Sequence, residues 1–98
     1  MKVNQKEIIG FEWDAGNTLK NWQKHRVAMF ESEEIFFNHP LMITDDKKHS
    51  NQESRFHALG HTNGGRLLFI SFTVRNSRIR VISARDMNKK ERNLSLSK

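Results

Sequence analysis

The chain has 98 residues, 36% hydrophobic and 29% charged, and a formal charge of +6 from 17 Lys/Arg against 11 Asp/Glu. This length supports one compact core, so a single domain over residues 1–98 is expected, and the composition lies in the globular range rather than the disordered one. Zero cysteines exclude a disulfide scaffold, a thiolate metal site and a cysteine nucleophile; with no apolar run near the roughly 20 residues that cross a bilayer and no secretory signal at the start, a cytoplasmic protein without membrane contact is expected.

In "WDAGNTLKNWQKHRV", Asp14 suits a helix N-cap, and Leu19, Trp22 and Val27 recur at helical spacing as an inward face. Lys24, His25 and Arg26 fall in the last turn, where positive charge offsets unpaired carbonyls. A second short helix, "MFESEEIFFN", turns Phe30, Ile35 and Phe36 or Phe37 inward and is closed by Pro40. From Leu41 the period changes to two. "LMITDD" reads as an edge strand that runs into a polar loop, "DDKKHSNQE". "SRFHALGHT", the turn "NGG", "RLLFISFTVR", a tight turn at Asn76 and Ser77, and "RIRVISAR" then form an antiparallel meander, with Asn63 and Gly64 as residues that tolerate positive φ. Residues 87–98 read as a short helix or tail anchored by Leu94 and Leu96. The expected fold is α+β: two N-terminal helices packed on one face of an antiparallel sheet of about four strands, followed by a short C-terminal helix.

Strand alternation sorts the side chains by face. Leu68, Ile70, Phe72 and Val74 share an apolar face suited to the helices, as do Phe56 and Ala58. Arg55, His57, His61, Thr73 and Arg75 fall on the opposite, open side. In the last strand Ile79, Val81 and Ser83 form one row and Arg78, Arg80, Ile82 and Ala84 the other; Arg80 belongs with Arg55 and Arg75, whereas Arg85 reaches that surface only through a bend or bulge. Charge follows the same division. Residues 1–54 carry seven Lys/Arg against nine Asp/Glu, and residues 55–98 carry ten against two. Forked guanidiniums on adjacent strands repel one another and grip phosphate oxygens, so the basic half suits a nucleic acid. The plainer reading of each arginine is a side chain lying over an aromatic ring or paired with Glu53 or Asp86.

The order "FEWD", "N…KH.V", "F…E..F", "E.R…G.T..GR", "FT.R…IRVISAR" and "ER" resembles the BrnT family of type II toxins, which belong to the RelE-like ribonucleases. The likeness runs from Phe11 to about Arg92, with residues 79–85 as its most specific piece; residues 1–10 lie outside it as an N-terminal extension. It implies a metal-independent endoribonuclease that inhibits translation. It also implies neutralisation by a cognate BrnA-like antitoxin in a hetero-oligomer, operator DNA being bound only through that complex. Glu53 and Arg55 stand for the family's "E.R", Arg75 for the arginine after "FT", Arg80 and Arg85 for "IRIISAR", and Lys24 and His25 for "KH". Three departures are visible: Arg26 replaces the glycine that usually follows "KH", Met87 replaces a small residue, and the chain has no tyrosine.

Metal-free RNA cleavage requires a proton acceptor for the ribose 2′-OH, cations for the phosphoryl oxygens and a proton donor for the departing 5′-oxygen. Arg55, Arg80 and Arg75 suit the charge task; Glu53 or His57 suits the acceptor, and His25 or His61 the donor, while Arg85 is a catalytic candidate through the family likeness. Lys24, His57, His61, Arg75 and Arg78 are the candidate RNA contacts. Taken singly, His25 is a helix C-terminal cation, and His39 and His49 are loop residues. His57 and His61 lie four apart in a strand, roughly 13 Å, so no metal is expected, and no cofactor. Phe30, Phe36, Phe37, Phe56 and Phe72 are expected in the core, with Trp13 and Trp22 packing the first helix. The alternative function is a non-catalytic module whose basic sheet face holds RNA or a protein.

Overall fold

The computed structural model describes residues 8–49 and 53–96; most of the N-terminal extension, the middle of the polar loop and the last two residues lie outside them. Five strands form one sheet in the order β1-β5-β4-β3-β2: β1 Gly10–Glu12, β2 Met42–Asp45, β3 Arg55–His61, β4 Leu67–Arg75 and β5 Arg78–Asp86. Among the described residues three α-helices accompany it, α1 Ala15–His25, α2 Met29–Glu34 with a 3-10 turn at Ile35–Phe37, and α3 Lys89–Leu96. The class is α+β as expected, but the sheet has five strands rather than four and is mixed. β1 runs parallel to β5, with Gly10 opposite Arg78 and Glu12 opposite Arg80. Three residues are too short to show a period of two, so only the neighbouring strand reveals this one.

The core lies between the sheet and the first two helices. Leu68, Ile70 and Phe72 of β4, Phe56 and Ala58 of β3, and Ile79, Val81 and Ala84 of β5 are buried against Val27 and Ile35. Phe36 meets Phe72 edge-on, with 5.2 Å between ring centroids. Gly60 lets the 3-10 turn approach closely, since a Cβ there would lie 3.1 Å from the Cβ of Ile35.

The inward faces of the helices differ from the expected ones. Leu19, Trp22, Phe30 and Phe37 are exposed. The buried residue of α1 is Asn21, whose Oδ1 accepts the Ala84 N–H at 3.2 Å. In the second segment the helix tightens after Glu34 to three residues per turn, which rotates Ile35 and Phe36 inward and Phe37 out. Trp13 does pack against the core, and its indole donates to Glu33 at 2.7 Å.

The ends follow local chemistry. Asp14 caps α1 by accepting the Asn17 N–H at 2.9 Å, and Arg26 ends it in the left-handed region at φ 55. Asn76 and Ser77 both adopt positive φ, which suits a two-residue hairpin turn. In the other hairpin the positive φ falls on Gly65, at 88, rather than on Asn63 or Gly64, because Thr62 and Arg66 pair around a three-residue loop.

Candidate active site

The register of the sheet sets out the side chains opposite the first two helices as cross-strand rows. Arg55, Thr73, Arg80 and Glu12 form one row across β3, β4, β5 and β1. Thr44, His57, Ser71 and Ser83 form the next, and Met42, Leu59, Phe69 and Arg85 the third. Between the first two rows the register slips: Phe72 faces Val81 while Ser71 faces Ser83, leaving Ile82 without a partner. This bulge divides the simple alternation of β5. Ser83 leaves the core row and Ala84 enters it, and Arg85 comes onto the face of Arg80.

The face carries dense charge, and its guanidiniums are paired. Arg80 donates to Glu12 at 2.7 Å and to Asp14 at 2.9 Å. Arg75 forks onto Glu53 at 2.7 and 3.0 Å. Arg85 forks onto Glu91 of α3 at 2.8 and 2.9 Å and lies 4.2 Å over the Phe69 ring. The Arg75 hydrogen bond holds the Glu53 carboxyl below the ordinary carboxylate range against the opposing effect of burial, and the charges of Arg75, Arg55 and Arg80 add to it. Three guanidiniums therefore act on one carboxylate. Arg85 in turn depresses Glu91 through its hydrogen bond, against the opposing effect of burial.

The face is not wholly open, because α3 packs against β3 at the Arg85 end, where Leu59 and Ser95 are buried. His57 lies between the two arginine groups. Its Nε2 donates to Asp46 Oδ2 at 3.1 Å, and its ring stands 4.7 Å from that of Phe69. In the sequence Asp46 stands where "LMITDD" runs into the polar loop; a side chain just past a strand carries no periodic signal, and its burial is set by β3.

Other expected site residues lie elsewhere. Lys24 and His25 are at the end of α1, on the helix side of the sheet, and the structure does not join them to Arg55 and Arg80. His61 is tied to backbone at the far end of β3, its two ring nitrogens each 3.0 Å from the carbonyls of Thr62 and His39. Those carbonyls raise its pKa above the ordinary histidine value. Arg78 is exposed beside the 76–77 turn, opposite Arg75.

A further cluster on the helix side is built around Arg66. Its guanidinium donates to Asp86 at 2.6 and 3.1 Å, to Glu31 at 3.1 and 3.2 Å, and to the carbonyls of Arg26 and His25 at 2.9 and 3.1 Å. One side chain thus joins the end of α1, the start of α2 and the end of β5. Arg66 is the arginine of "GR" in the family likeness, which assigns it no role.

A family model described as "Ribonuclease toxin, BrnT, of type II toxin-antitoxin system" matches residues 13–91. The crystal structure of the Brucella abortus ribonuclease toxin BrnT is similar in fold, with a TM-score of 0.63 over 83% of this chain and 99% of that chain, at 21% identity. No curated protein matches. The class these findings define is the ribonuclease toxins of type II toxin-antitoxin systems, which implies an RNA substrate and an antitoxin partner. Within that class, the chain belongs to the BrnT family.

Proposed function

We propose that this protein is a metal-independent endoribonuclease acting in the cytoplasm, where it cuts RNA, arrests translation and is restrained by a BrnA-like antitoxin whose complex with it binds operator DNA. The observation that carries the reading is the convergence of Arg55, Arg75 and Arg80 on one sheet face, with Arg85 brought to that face by the bulge at Ile82. Guanidiniums in this arrangement bind the phosphodiester and stabilise the extra charge of its transition state. RNA phosphates take the places now held by Glu12, Asp14 and Glu91, an exchange of one anion for another. Glu53 is a poor proton acceptor because Arg75 keeps it ionised and weakly basic. His57 suits that task better, since it lies on the same face and a neutral imidazole carries a lone pair that accepts a proton.

The direct test is cleavage of an RNA oligonucleotide in the presence of chelator. Arg80→Ala is expected to lower kcat/KM by about 100-fold or more, the size of effect that losing one preorganised donor produces, while the melting temperature changes little. The pairing of these arginines with carboxylates favours a second reading, a binding face with no chemistry. No cleavage by the native protein decides for it, whereas unchanged cleavage by Arg80→Ala moves the chemistry away from Arg80.

A further inference from the structure

The geometry points to Asp46 as the residue that positions His57 for proton transfer, an inference that rests on the nuclease reading above. Asp46 directly follows β2, and its backbone N–H donates to the Arg55 carbonyl at 2.8 Å, which fixes it beside β3. It is only 7% exposed. Burying a carboxylate is unfavourable unless donors surround it, and here the donors are two imidazoles. Oδ2 accepts from His57 Nε2 at 3.1 Å and from His49 Nδ1 at 3.0 Å, with Oδ1 3.2 Å from the same His49 nitrogen. Burial pushes the carboxyl up, but the hydrogen bond from His49 and the attraction of the two imidazoles outweigh it and hold the group below its ordinary value, so it stays ionised.

An ionised carboxylate only accepts hydrogen bonds, so Nε2 of neutral His57 carries the hydrogen and Nδ1 carries the lone pair. The surroundings reinforce this choice. Thr44 of β2 and Ser71 of β4 lie opposite His57 and are uncharged, Phe69 covers its ring, Arg55 is two residues along β3, and Glu91 of α3 is committed to Arg85. Asp46 is therefore the carboxylate that fixes the tautomer and steadies the imidazolium once it forms.

In the step this serves, the 2′-OH proton passes to Nδ1 as the 2′-oxygen attacks phosphorus. The bond from phosphorus to the 5′-oxygen breaks, and its electron pair leaves with that oxygen, which takes a proton from water. The imidazolium then neutralises the hydroxide left behind. The products are a cyclic 2′,3′-phosphate and a 5′-hydroxyl end, with no co-reactant beyond water.

The test compares native protein, Asp46→Asn, Asp46→Glu, His57→Ala and the Asp46→Asn/His57→Ala double variant on a defined RNA oligonucleotide in chelator. Asp46→Asn is expected to lower kcat by roughly 30-fold with KM nearly unchanged, as loss of an orienting partner does. Asp46→Glu should recover part of the rate, and Asp46→Asn should add nothing once His57 is gone. Independent, multiplying losses, or a loss in kcat that follows the melting temperature alone, overturn the inference. If Asp46→Asn does not fold, Asp46→Glu decides: a lowered kcat at constant KM supports the positioning role, and a native kcat refutes it. A native protein that cuts RNA regardless of position 46 removes only this inference, whereas one that cuts no RNA removes the nuclease reading itself.

Discussion

Arg66 and Arg80 are both bound to two carboxylates, yet one belongs to a clamp and the other to a candidate site. Arg66 spends its donors on Asp86, Glu31 and the carbonyls of residues 25 and 26, tying three elements together on the helix side. Arg80 meets Glu12 and Asp14, which are both about one-third exposed. Removing the first leaves two backbone carbonyls and the part-buried Glu31 without their donor; removing the second leaves side-chain carboxylates that water reaches. Paired charge therefore has no single meaning, and the backbone carbonyls that Arg66 serves separate the two uses.

The largest effect that tests this contrast is Arg66→Ala, expected to destabilise the protein by about 2 kcal/mol in urea unfolding, the size of losing charge-assisted hydrogen bonds to part-buried groups. The folded fraction should still cleave RNA. Asp86 adds a pH signature: its carboxyl is held low by the Arg66 hydrogen bond, so the stability it contributes is complete above the unfolded carboxylate pKa and is lost as pH falls through the lowered folded value. In Arg66→Ala that part of the acid sensitivity should shrink. An equal loss of stability from Arg80→Ala would erase the distinction.

A smaller change sharpens the clamp from the other side. Arg26 occupies the left-handed C-cap of α1, a conformation that glycine adopts without strain, and its carbonyl rather than its side chain serves Arg66. Arg26→Gly is expected to raise stability by about 1 kcal/mol, measured by thermal unfolding. A decrease would show that the 5.4 Å contact of the Arg26 guanidinium with Trp22 outweighs backbone strain.

On the sheet face, Glu91→Gln keeps an oxygen acceptor for the Asn88 N–H but removes the charge bound to Arg85. RNA affinity should improve about threefold at low salt, read by fluorescence anisotropy, since the phosphate no longer competes with a carboxylate. Weaker binding would mean that Glu91 orients Arg85 for RNA. The smallest effect concerns His61, whose pKa is raised by the backbone carbonyls of His39 and Thr62. A raised histidine contributes stability that is complete below its unfolded pKa, about 6.5, and is lost as pH rises through the folded value. His61→Gln should flatten the fall in melting temperature across that window without changing cleavage.

Much of the fold was legible because the pattern was local. The hairpin at Asn76 and Ser77, the Asp14 cap and the apolar face of β4 all follow from short stretches. The site was legible by halves: alternation places Arg55, Arg75 and Arg80 together, and the "IRVISAR" likeness singles out Arg85, but only a bulge could reconcile the two. Asp46 and Arg66 escaped the reading because their partners lie on β3, β5 and the helices, far along the chain.

By itself, then, the sequence determined the α+β class, the family and which residues alternate toward the helices, since propensity and periodicity act between near neighbours. Tertiary structure decided the fifth strand, the outward turn of Phe30 and Phe37, and which arginine ties three elements together and which meets carboxylates on the sheet face. Those outcomes depend on register and on what each side chain meets across the sheet, and neither is encoded within a single segment.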